Sequence, residues 1–303
     1  MIYSILQLGI TLETAFIAII HVNLKEQLQT HLRFIARDRD PYLATGGHFF
    51  VQQYIREQFE QSGSVEIHTF EANGKAGKNL ILNLPPLERF SKKDLPPILI
   101  AAHYDAVPGT PGADDNATGV AVLLELARMF ATQPIKYPLR LVAFDLEEYG
   151  LVGSADYAAK LKQEKRSLRL MMSLEMLGYC DATPNSQNYP PPLERFYPNK
   201  GDFIALIGNL RTLPDLINLS RSIRQSGTPS EWLPVPNRGI IVPDMRLSDH
   251  APFWDAGYPA IMVTDTAFMR NPHYHKPSDA IATLNLDFLT GVCQGLERGI
   301  RKL

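Results

Sequence analysis

Three apolar runs alternate with stretches of helical periodicity, and this alternation constrains the fold more than any other feature of the sequence. The runs lie in PPILIAAHYD (96–105), LRLVAFDLEE (139–148) and LRLMMSLEMLG (168–178). Their nearly continuous apolar character is typical of strands buried on both faces of a sheet. Helical patterns at 117–131 and 154–163 separate them. Such alternation predicts a single α/β domain with a mixed, mostly parallel central β-sheet and helices on both faces.

Weaker patterns complete the predicted order of elements. Apolar residues at helical spacing predict a helix over 46–61 and a closing helix over 284–301. Shorter runs predict further strands at 65–70, 79–84, FIALIGN (203–209), GIIV (239–242) and PAIMVTDT (259–266). The proline-rich segment 180–201 predicts a long irregular loop, which we place at the rim of a binding pocket.

The charge balance excludes one class of function. The 303 residues include 30 Lys and Arg and 32 Asp and Glu, which gives a net charge of -2. A nucleic-acid-binding domain carries a basic surface, so we predict no nucleic-acid partner. Cys180 and Cys293 are too few for a disulfide framework and lack the neighbouring ligands of a cysteine zinc site. We interpret both as free thiols.

The first twenty residues are apolar enough to raise the question of a membrane segment. No Lys or Arg precedes the apolar run and no small-residue cleavage site follows it, which argues against an export signal. Glu13 and several polar residues interrupt the run, which argues against a spanning helix. We expect residues 1–45 to form a helical extension that packs on the rest of the chain, in a cytoplasmic protein. A membrane anchor through residues 1–20 and export are the alternatives, and the sequence predicts no oligomeric state.

Acidic and histidine side chains stand where each buried run ends. His103 and Asp105 are two residues apart on a strand, so their side chains point to the same face. Glu147 and Glu148 end the second run, and Glu175 stands near the end of the third. In parallel sheets, ligands bind beyond the carboxyl ends of the strands. We therefore expect these side chains to meet in one cleft.

Two loops add further candidates. Asp114 and Asp115 precede a helix, where one Asp is an ordinary N-cap but a second carboxylate can bridge two cations. His273, Tyr274 and His275 lie in the loop NPHYHKPSD. Imidazole and carboxylate ligands without cysteine indicate a catalytic zinc site with open positions. The residues therefore predict two zinc ions that share a carboxylate, with a glutamate as general base.

Four segments carry a resemblance to a known family. In order, AAHYDAVPGTPGADDNATGVAVLLELAR, LVAFDLEEYGLVGS, SLEMLGY and NPHYHKPSD resemble the co-catalytic zinc aminopeptidases. That family includes bacterial leucyl-type aminopeptidases, the catalytic domain of glutamate carboxypeptidase II and animal glutaminyl cyclases. The resemblance covers 46–303 and implies a zinc peptidase catalytic domain with a zinc-exopeptidase-like fold. It also implies two zinc ions per chain and a peptide substrate.

Position by position, the resemblance implies a role for eight residues. It assigns metal binding to His103, Asp115, Glu148, Glu175 and His275. Asp115 would bridge the two ions, and the peptide bond after it is often cis in the family. Glu147 would be the general base, Asp105 would orient His103, and Tyr274 would stabilise the oxyanion. His273 receives no role.

The sequence departs from the family pattern at one ligand. Glu175 stands where the family usually has Asp, which keeps the charge but adds a methylene and leaves the affinity of one zinc position open. In RLSDHAPFWDAGYPA, a second segment similar to the family, Asp249 and His250 either contact substrate or brace the loop.

The function that this resemblance implies is metal-dependent hydrolysis of a terminal peptide bond, most simply by an aminopeptidase. Three alternatives stay open: a glutaminyl-cyclase-like acyltransferase with one zinc, a carboxypeptidase of the same fold, and a non-catalytic interaction module. The complete ligand set and the intact base argue against the first and the last of these.

Overall fold

One mixed β-sheet of eight strands organises the part of the chain that the structure describes. The computed structural model describes residues 12–72 and 74–303. The strands are β1 (Val65–Ala72), β2 (Lys75–Leu84), β3 (Ile98–His103), β4 (Leu139–Phe144), β5 (Leu170–Glu175), β6 (Ile204–Asn209), β7 (Ser230–Val235) and β8 (Ala260–Thr264). They lie in the order β1-β2-β4-β3-β5-β8-β6-β7. The pairs β4-β3, β3-β5, β5-β8 and β6-β7 are parallel and the others antiparallel, which confirms the predicted fold class.

Helices cover both faces of the sheet. The described residues form α1 (Leu12–Ile35), α2 (Thr45–Glu60), α3 (Gly119–Thr132), α4 (Val152–Gln163), α5 (Leu213–Gln225), α6 (His250–Ala256) and α7 (Leu286–Ile300). Helices α1, α2, α3, α5 and α7 share one apolar cluster, and α4 and α6 share the other. Along β3, Ile98 and Ile100 belong to the first cluster and Leu99 and Ala101 to the second. Because successive residues face opposite sides of a sheet, a strand covered on both sides is apolar throughout.

The described part of the N-terminal segment shares this core. Leu24, Leu28, Leu32 and Ile35 recur on one face of α1 and are at most 2% exposed, and the helix packs against α3 and α7. Residues 1–11, which carry half of the apolar stretch, lie outside the described residues. Within the described residues, no helix combines the length and apolar character needed to cross a bilayer. The division into an extension (1–45) and a catalytic domain (46–303) stays a prediction.

The predicted strand GIIV is wrong. Asn237–Gly239 form a 3-10 turn, and the following Ile240 and Ile241 are 52% and 73% exposed. A short apolar run does not by itself distinguish a strand from another conformation. Strand β7 occupies the position beside β6 instead, and its Pro234 suits an edge strand, where a missing N–H is tolerated. Strand β7 was not predicted because of that proline, and α5 was not predicted because polar residues interrupt its apolar stripe.

Candidate metal centre and active site

Three strand ends converge at one edge of the sheet. His103 is the last residue of β3, and Glu175 is the last residue of β5. Because β4 and β5 both pair with β3 in parallel, their carboxyl ends flank His103. Glu147 and Glu148 lie in the turn that follows β4. The sheet order therefore brings together side chains that are far apart in sequence.

Asp115 lies at the centre of this cluster. It comes from the loop between β3 and α3, and its Oδ1 lies 3.3 Å from His103 Nε2. Its Oδ2 lies 3.1 Å from Nε2 of His275, in the loop after β8. Glu175 Oε1 is 3.4 Å from His103 Nε2, and Glu148 Oε2 is 3.4 Å from His275 Nε2. One Asp115 oxygen thus faces His103, which Glu175 also approaches, and the other faces His275, which Glu148 also approaches.

Asp105 supports the turn that carries the two glutamates. Its Oδ1 accepts a hydrogen bond from the backbone N–H of Glu147, and its Oδ2 accepts one from that of Glu148, each at 3.1 Å. Asp105 Oδ1 also lies 3.4 Å from His103 Nδ1, within reach of the orienting contact that the resemblance implies. The backbone contacts were not predicted, because they require knowledge of how the turn after β4 folds back on β3.

The electrostatics of the cluster are those of buried like charges. Burial, together with the charge of Asp115, raises the pKa of Glu148 to about 7. Burial also raises the pKa of Glu147 well above its usual range, although His103 opposes the shift. Burial acts to lower the pKa of His275, but contacts with Asp115 and Glu148 outweigh it and raise that pKa to about 10. A divalent cation would relieve the repulsion among these carboxylates.

The donor atoms fit zinc. In the described residues, both ring nitrogens of His103 and Oε1 of Glu148 are buried without a hydrogen-bond partner. Ligand atoms of His103, Glu147 and Glu175 lie within 4.8 Å of one another, as do those of His103, Asp115 and Glu148. Imidazole nitrogen and carboxylate oxygen are suitable zinc ligands.

The shortest contacts divide the ligands differently from these three-residue groups. Glu175 approaches His103 Nε2 to 3.4 Å, whereas Oε2 of Glu147 lies 4.0 Å away from that atom. The pairwise distances also include His275, which lies 3.1 Å from Asp115 and 3.4 Å from Glu148. On that basis Glu147 is the carboxylate least engaged with the imidazoles.

Asp114 does not cap α3, so the N-cap alternative is wrong for this pair. The N-cap of α3 is Thr118. Asp114 Oδ1 accepts from the N–H of Gly178 at 2.9 Å, and Asp279 accepts from the N–H of Asp114 and of Asp115 at 2.9 and 3.1 Å. The bond between Asp115 and Asn116 is cis, as the resemblance implies. Asp279 was not among the predicted site residues. It is the last residue of the segment NPHYHKPSD that carries the resemblance, and its place in that segment was the available signal of a role at the site.

An apolar cavity opens beside the cluster. Its volume is about 760 Å³, part of it open to solvent, and Glu175 and Tyr274 form part of its wall. Most of the other walls are aromatic or aliphatic, and they include Tyr189, Tyr197, Phe203, Trp232, Met262 and Phe268. None of the described residues that line it is Lys, Arg or His. Segment 180–201 supplies three of the lining side chains, so it lies at the rim, as predicted.

Several residues near the site take distinct roles. Tyr274 stacks on His275, with ring centroids 3.7 Å apart. His273 instead pairs with Ser278 Oγ at 3.0 Å and takes no part in the cluster. His250 Nε2 lies 2.9 Å from the carbonyl oxygen of Met245, so His250 braces its loop.

Asp249 is different from its neighbour His250. It is fully buried, and both its carboxylate oxygens lack a hydrogen-bond donor among the described residues. Burial raises its pKa to about 7, and the nearby His103 opposes the shift. The carboxylate of Asp249 therefore does not brace the loop by a hydrogen bond, and it interacts electrostatically with His103 and Glu175.

Comparison with known proteins identifies the family. Residues 79–295 match Peptidase family M28. YfbL of Escherichia coli (strain K12) is 38% identical over 290 residues, which cover 89% of this chain and 86% of YfbL. Aminopeptidase YwaD of Bacillus subtilis (strain 168) is 30% identical over 206 residues, which are 63% of this chain but 38% of YwaD, so the chain spans under half of that relative.

A solved structure supports the same fold. LapA aminopeptidase of Legionella pneumophila has a TM-score of 0.68 and 18% sequence identity, and the alignment covers 97% of this chain and 75% of LapA. At this identity the likeness concerns the fold alone. Since the family match covers more than half of the sequence, the chain belongs to peptidase family M28, a family of zinc metallopeptidases.

Proposed function

We propose that this chain is an aminopeptidase that binds two zinc ions and uses Glu147 as its general base. The observation that carries the proposal is the position of Asp115, whose two oxygens face His103 and His275. A carboxylate placed between two imidazoles in this way is suited to bridge a pair of cations. The aminopeptidase name of the relative YwaD adds to the proposal.

Each ion would have three protein ligands. His103, Asp115 and Glu175 would hold one, and Asp115, Glu148 and His275 would hold the other. Ser248 Oγ donates to Glu175 Oε2 at 2.7 Å, which leaves Oε1 facing His103. Three protein ligands per ion leave a position open for substrate, as in other catalytic zinc sites. Zinc in such a site supplies Lewis acidity, which polarises a carbonyl group and makes water more acidic.

Glu147 is suited to proton transfer because its side chain is only 11% exposed and its Oε2 lies 4.0 Å from His103 Nε2. A carboxylate that is not itself a metal ligand is free to accept a proton. Glu147 would accept the proton of the attacking water and donate it to the departing amine nitrogen. The phenol of Tyr274, on the cavity wall, would donate a hydrogen bond to the oxyanion of the tetrahedral intermediate.

The charge of the cavity favours cleavage at the amino terminus. A carboxypeptidase holds the free carboxylate of its substrate with a cationic side chain, commonly Arg. The described residues that line this cavity offer no cation, whereas Glu175 lies on its wall. A protonated amino terminus is compatible with these surroundings, and a free carboxylate is not.

The cavity also indicates the preferred residue. Its aromatic and aliphatic walls would bury a large apolar side chain. Glu231, one of its other acids, pairs with Arg224 at 3.2 Å, and Asp244 is exposed. We therefore expect leucine, methionine or phenylalanine to be preferred over alanine and over charged residues.

The proposal is tested by activity of the full chain with zinc on peptides whose ends are blocked separately. We expect a free-amino peptide with a carboxyl-terminal amide to lose its first residue, and an N-acetylated peptide to resist. Cleavage of the N-acetylated peptide from its carboxyl end would contradict the proposal. Release of ammonia and a cyclised product from an N-terminal glutamine peptide, without peptide cleavage, would indicate a cyclase instead.

Two neighbouring histidines provide a matched control for metal binding. His275→Ala should lower the zinc content of the purified protein from two ions towards one, because it removes a ligand. His273→Ala should leave the content unchanged, since that ring pairs with Ser278. Equal zinc contents in the two variants would contradict the assignment of His275.

A further inference from the structure

A buried arginine connects two parts of the metal centre. Arg39 is 0% exposed and lies between α1 and α2. Its Nε donates to the carbonyl oxygen of Tyr104 at 2.8 Å, between His103 and Asp105 in sequence. Its Nη1 donates to that of Pro111 at 2.7 Å, and its Nη2 to those of Gly112 and Asp115 at 2.9 and 3.1 Å. One guanidinium group thus bonds the end of β3 to the loop that carries Asp115.

The loop is built closely around this side chain. Gly112 has a φ of +54°, and a Cβ there would lie 2.8 Å from Arg39 Nη1 and 2.3 Å from the carbonyl oxygen of Asp115. A side chain at this position would therefore displace both groups. The planar guanidinium offers donors in a fixed fork, which an ammonium group does not reproduce.

The charge of Arg39 does not by itself favour metal binding. Asp115, Asp105 and Glu148 lie close enough to interact with the guanidinium electrostatically. The permanent positive charge of Arg39 beside these carboxylates would repel a zinc ion. Any gain in zinc affinity from Arg39 must therefore come from the geometry that it imposes on the Asp115 loop.

The next residue supports the other half of the cluster. Asp40 Oδ2 accepts a hydrogen bond from the hydroxyl of Tyr149 at 2.5 Å, and Tyr149 directly follows Glu148. Asp40 Oδ1 accepts from the backbone N–H of Tyr42 at 2.8 Å, which holds the carboxylate in place. Two successive residues therefore contact the Asp115 loop and the turn of Glu147 and Glu148.

From these contacts we infer that Arg39 and Asp40 are positioning residues of the metal centre, with Arg39 holding the bridging Asp115 and Asp40 holding the Glu147–Glu148 turn. Both residues precede the region 79–295 that matches the family. The inference rests on the proposed function, because it presumes that these ligands bind zinc. It makes the segment between α1 and α2 part of the active centre rather than an accessory extension.

The first test measures zinc affinity in the absence of substrate. Full-length wild type, Arg39→Met and Arg39→Lys are titrated against a chromogenic zinc chelator, and the visible spectrum of each cobalt(II) form is recorded. We expect Arg39→Met to weaken zinc binding about 10- to 100-fold, as loss of a group that orients metal ligands commonly does. Arg39→Lys should also weaken it, because lysine keeps the charge but loses the fork.

The outcomes distinguish an effect of the Asp115 loop geometry on zinc affinity from an effect of the Arg39 charge and from a general loss of fold stability. Tighter zinc binding in Arg39→Met, with unchanged binding in Arg39→Lys, would mean that only charge matters and would overturn the inference. Leu219→Ala serves as the control, since it opens a cavity under α5, a helix that packs against α7, β6 and β7. The zinc affinity of this control should equal that of the wild type. If the control lost as much zinc affinity as Arg39→Met, Arg39 would act only by stabilising the fold, and the inference would be overturned. A wild type that binds no zinc would instead refute the proposed function.

A milder pair of variants tests the Asp40 contact. Tyr149→Phe removes only the hydroxyl that bonds Asp40, and Tyr149 is partly exposed, so the fold should persist. Tyr42→Phe is the matched control, because the Tyr42 hydroxyl does not contact Asp40. We expect Tyr149→Phe alone to change the cobalt(II) spectrum and to lower kcat several-fold with little change in KM. Identical spectra and kcat in the two variants would overturn the role of Asp40.

Discussion

Filling the apolar cavity should remove most of the preference for large substrates. Ala205 on β6 lines the cavity and is 8% exposed, so the ring of Ala205→Phe would occupy space that the substrate side chain needs. Leucine has three more carbon atoms than alanine, and burial of each contributes about 0.8 kcal/mol. The sum of about 2.4 kcal/mol corresponds to a kcat/KM ratio of roughly 60 for leucyl over alanyl substrates, since about 1.4 kcal/mol gives a factor of ten.

The substituted cavity should lose most of that discrimination. If the ring excludes two of the three carbon atoms, about 0.8 kcal/mol remains and the ratio falls to about 4. The assay compares kcat/KM for leucyl and alanyl p-nitroanilides. Ala159→Phe, which adds the same ring to an exposed position of α4, is the control and should keep the wild-type ratio. A leucyl-to-alanyl ratio that stays near the wild-type value in Ala205→Phe would show that this cavity does not hold the cleaved residue.

Three further predictions concern the cluster and its surroundings. Glu147→Gln should lower kcat by about 10²- to 10⁴-fold with its zinc content intact, whereas Glu148→Gln should lose zinc. Activity assays and metal analysis of both variants test this, and the reverse pattern would exchange the roles of the two glutamates. Glu175→Asp should weaken zinc binding in a chelator titration, because the shorter side chain cannot both accept a hydrogen bond from Ser248 and face His103. An unchanged zinc affinity would contradict this explanation. Burial lowers the pKa of His250 to about 4, so its contribution to stability is complete above its ordinary pKa of about 6.5 and is lost as the pH falls towards 4. Between pH 7 and pH 5 the wild type should lose about 2 kcal/mol more unfolding free energy than His250→Asn in urea titrations, and parallel losses would refute this.

The sequence by itself determined the sheet and the chemical class of the site. Continuous apolar runs indicate strands covered on both faces, and the parallel order of such strands places His103 and Glu175 at one edge. These inferences succeed because they depend on local composition and on the handful of ways in which buried strands can connect. The prediction of a strand at GIIV was wrong for the same reason, because it depended on local composition alone. Whether a short apolar run pairs as a strand depends on whether a sheet edge is free. Here β7 occupies that edge.

Only the tertiary structure decided how the side chains are arranged within the site. Their position after β4 does not by itself distinguish Glu147 from Glu148, but the fold places Glu148 beside His275 and leaves Glu147 4.0 Å from the nearest imidazole nitrogen. No local pattern distinguishes Arg39 from the neighbouring Arg37, because its hydrogen bonds go to backbone carbonyls up to 76 residues away. Contacts of this kind depend on where separate loops meet after the sheet has formed. Residue type and spacing specify the strands, and three-dimensional packing specifies which carboxylates approach the imidazoles and where the buried Arg39 side chain bonds.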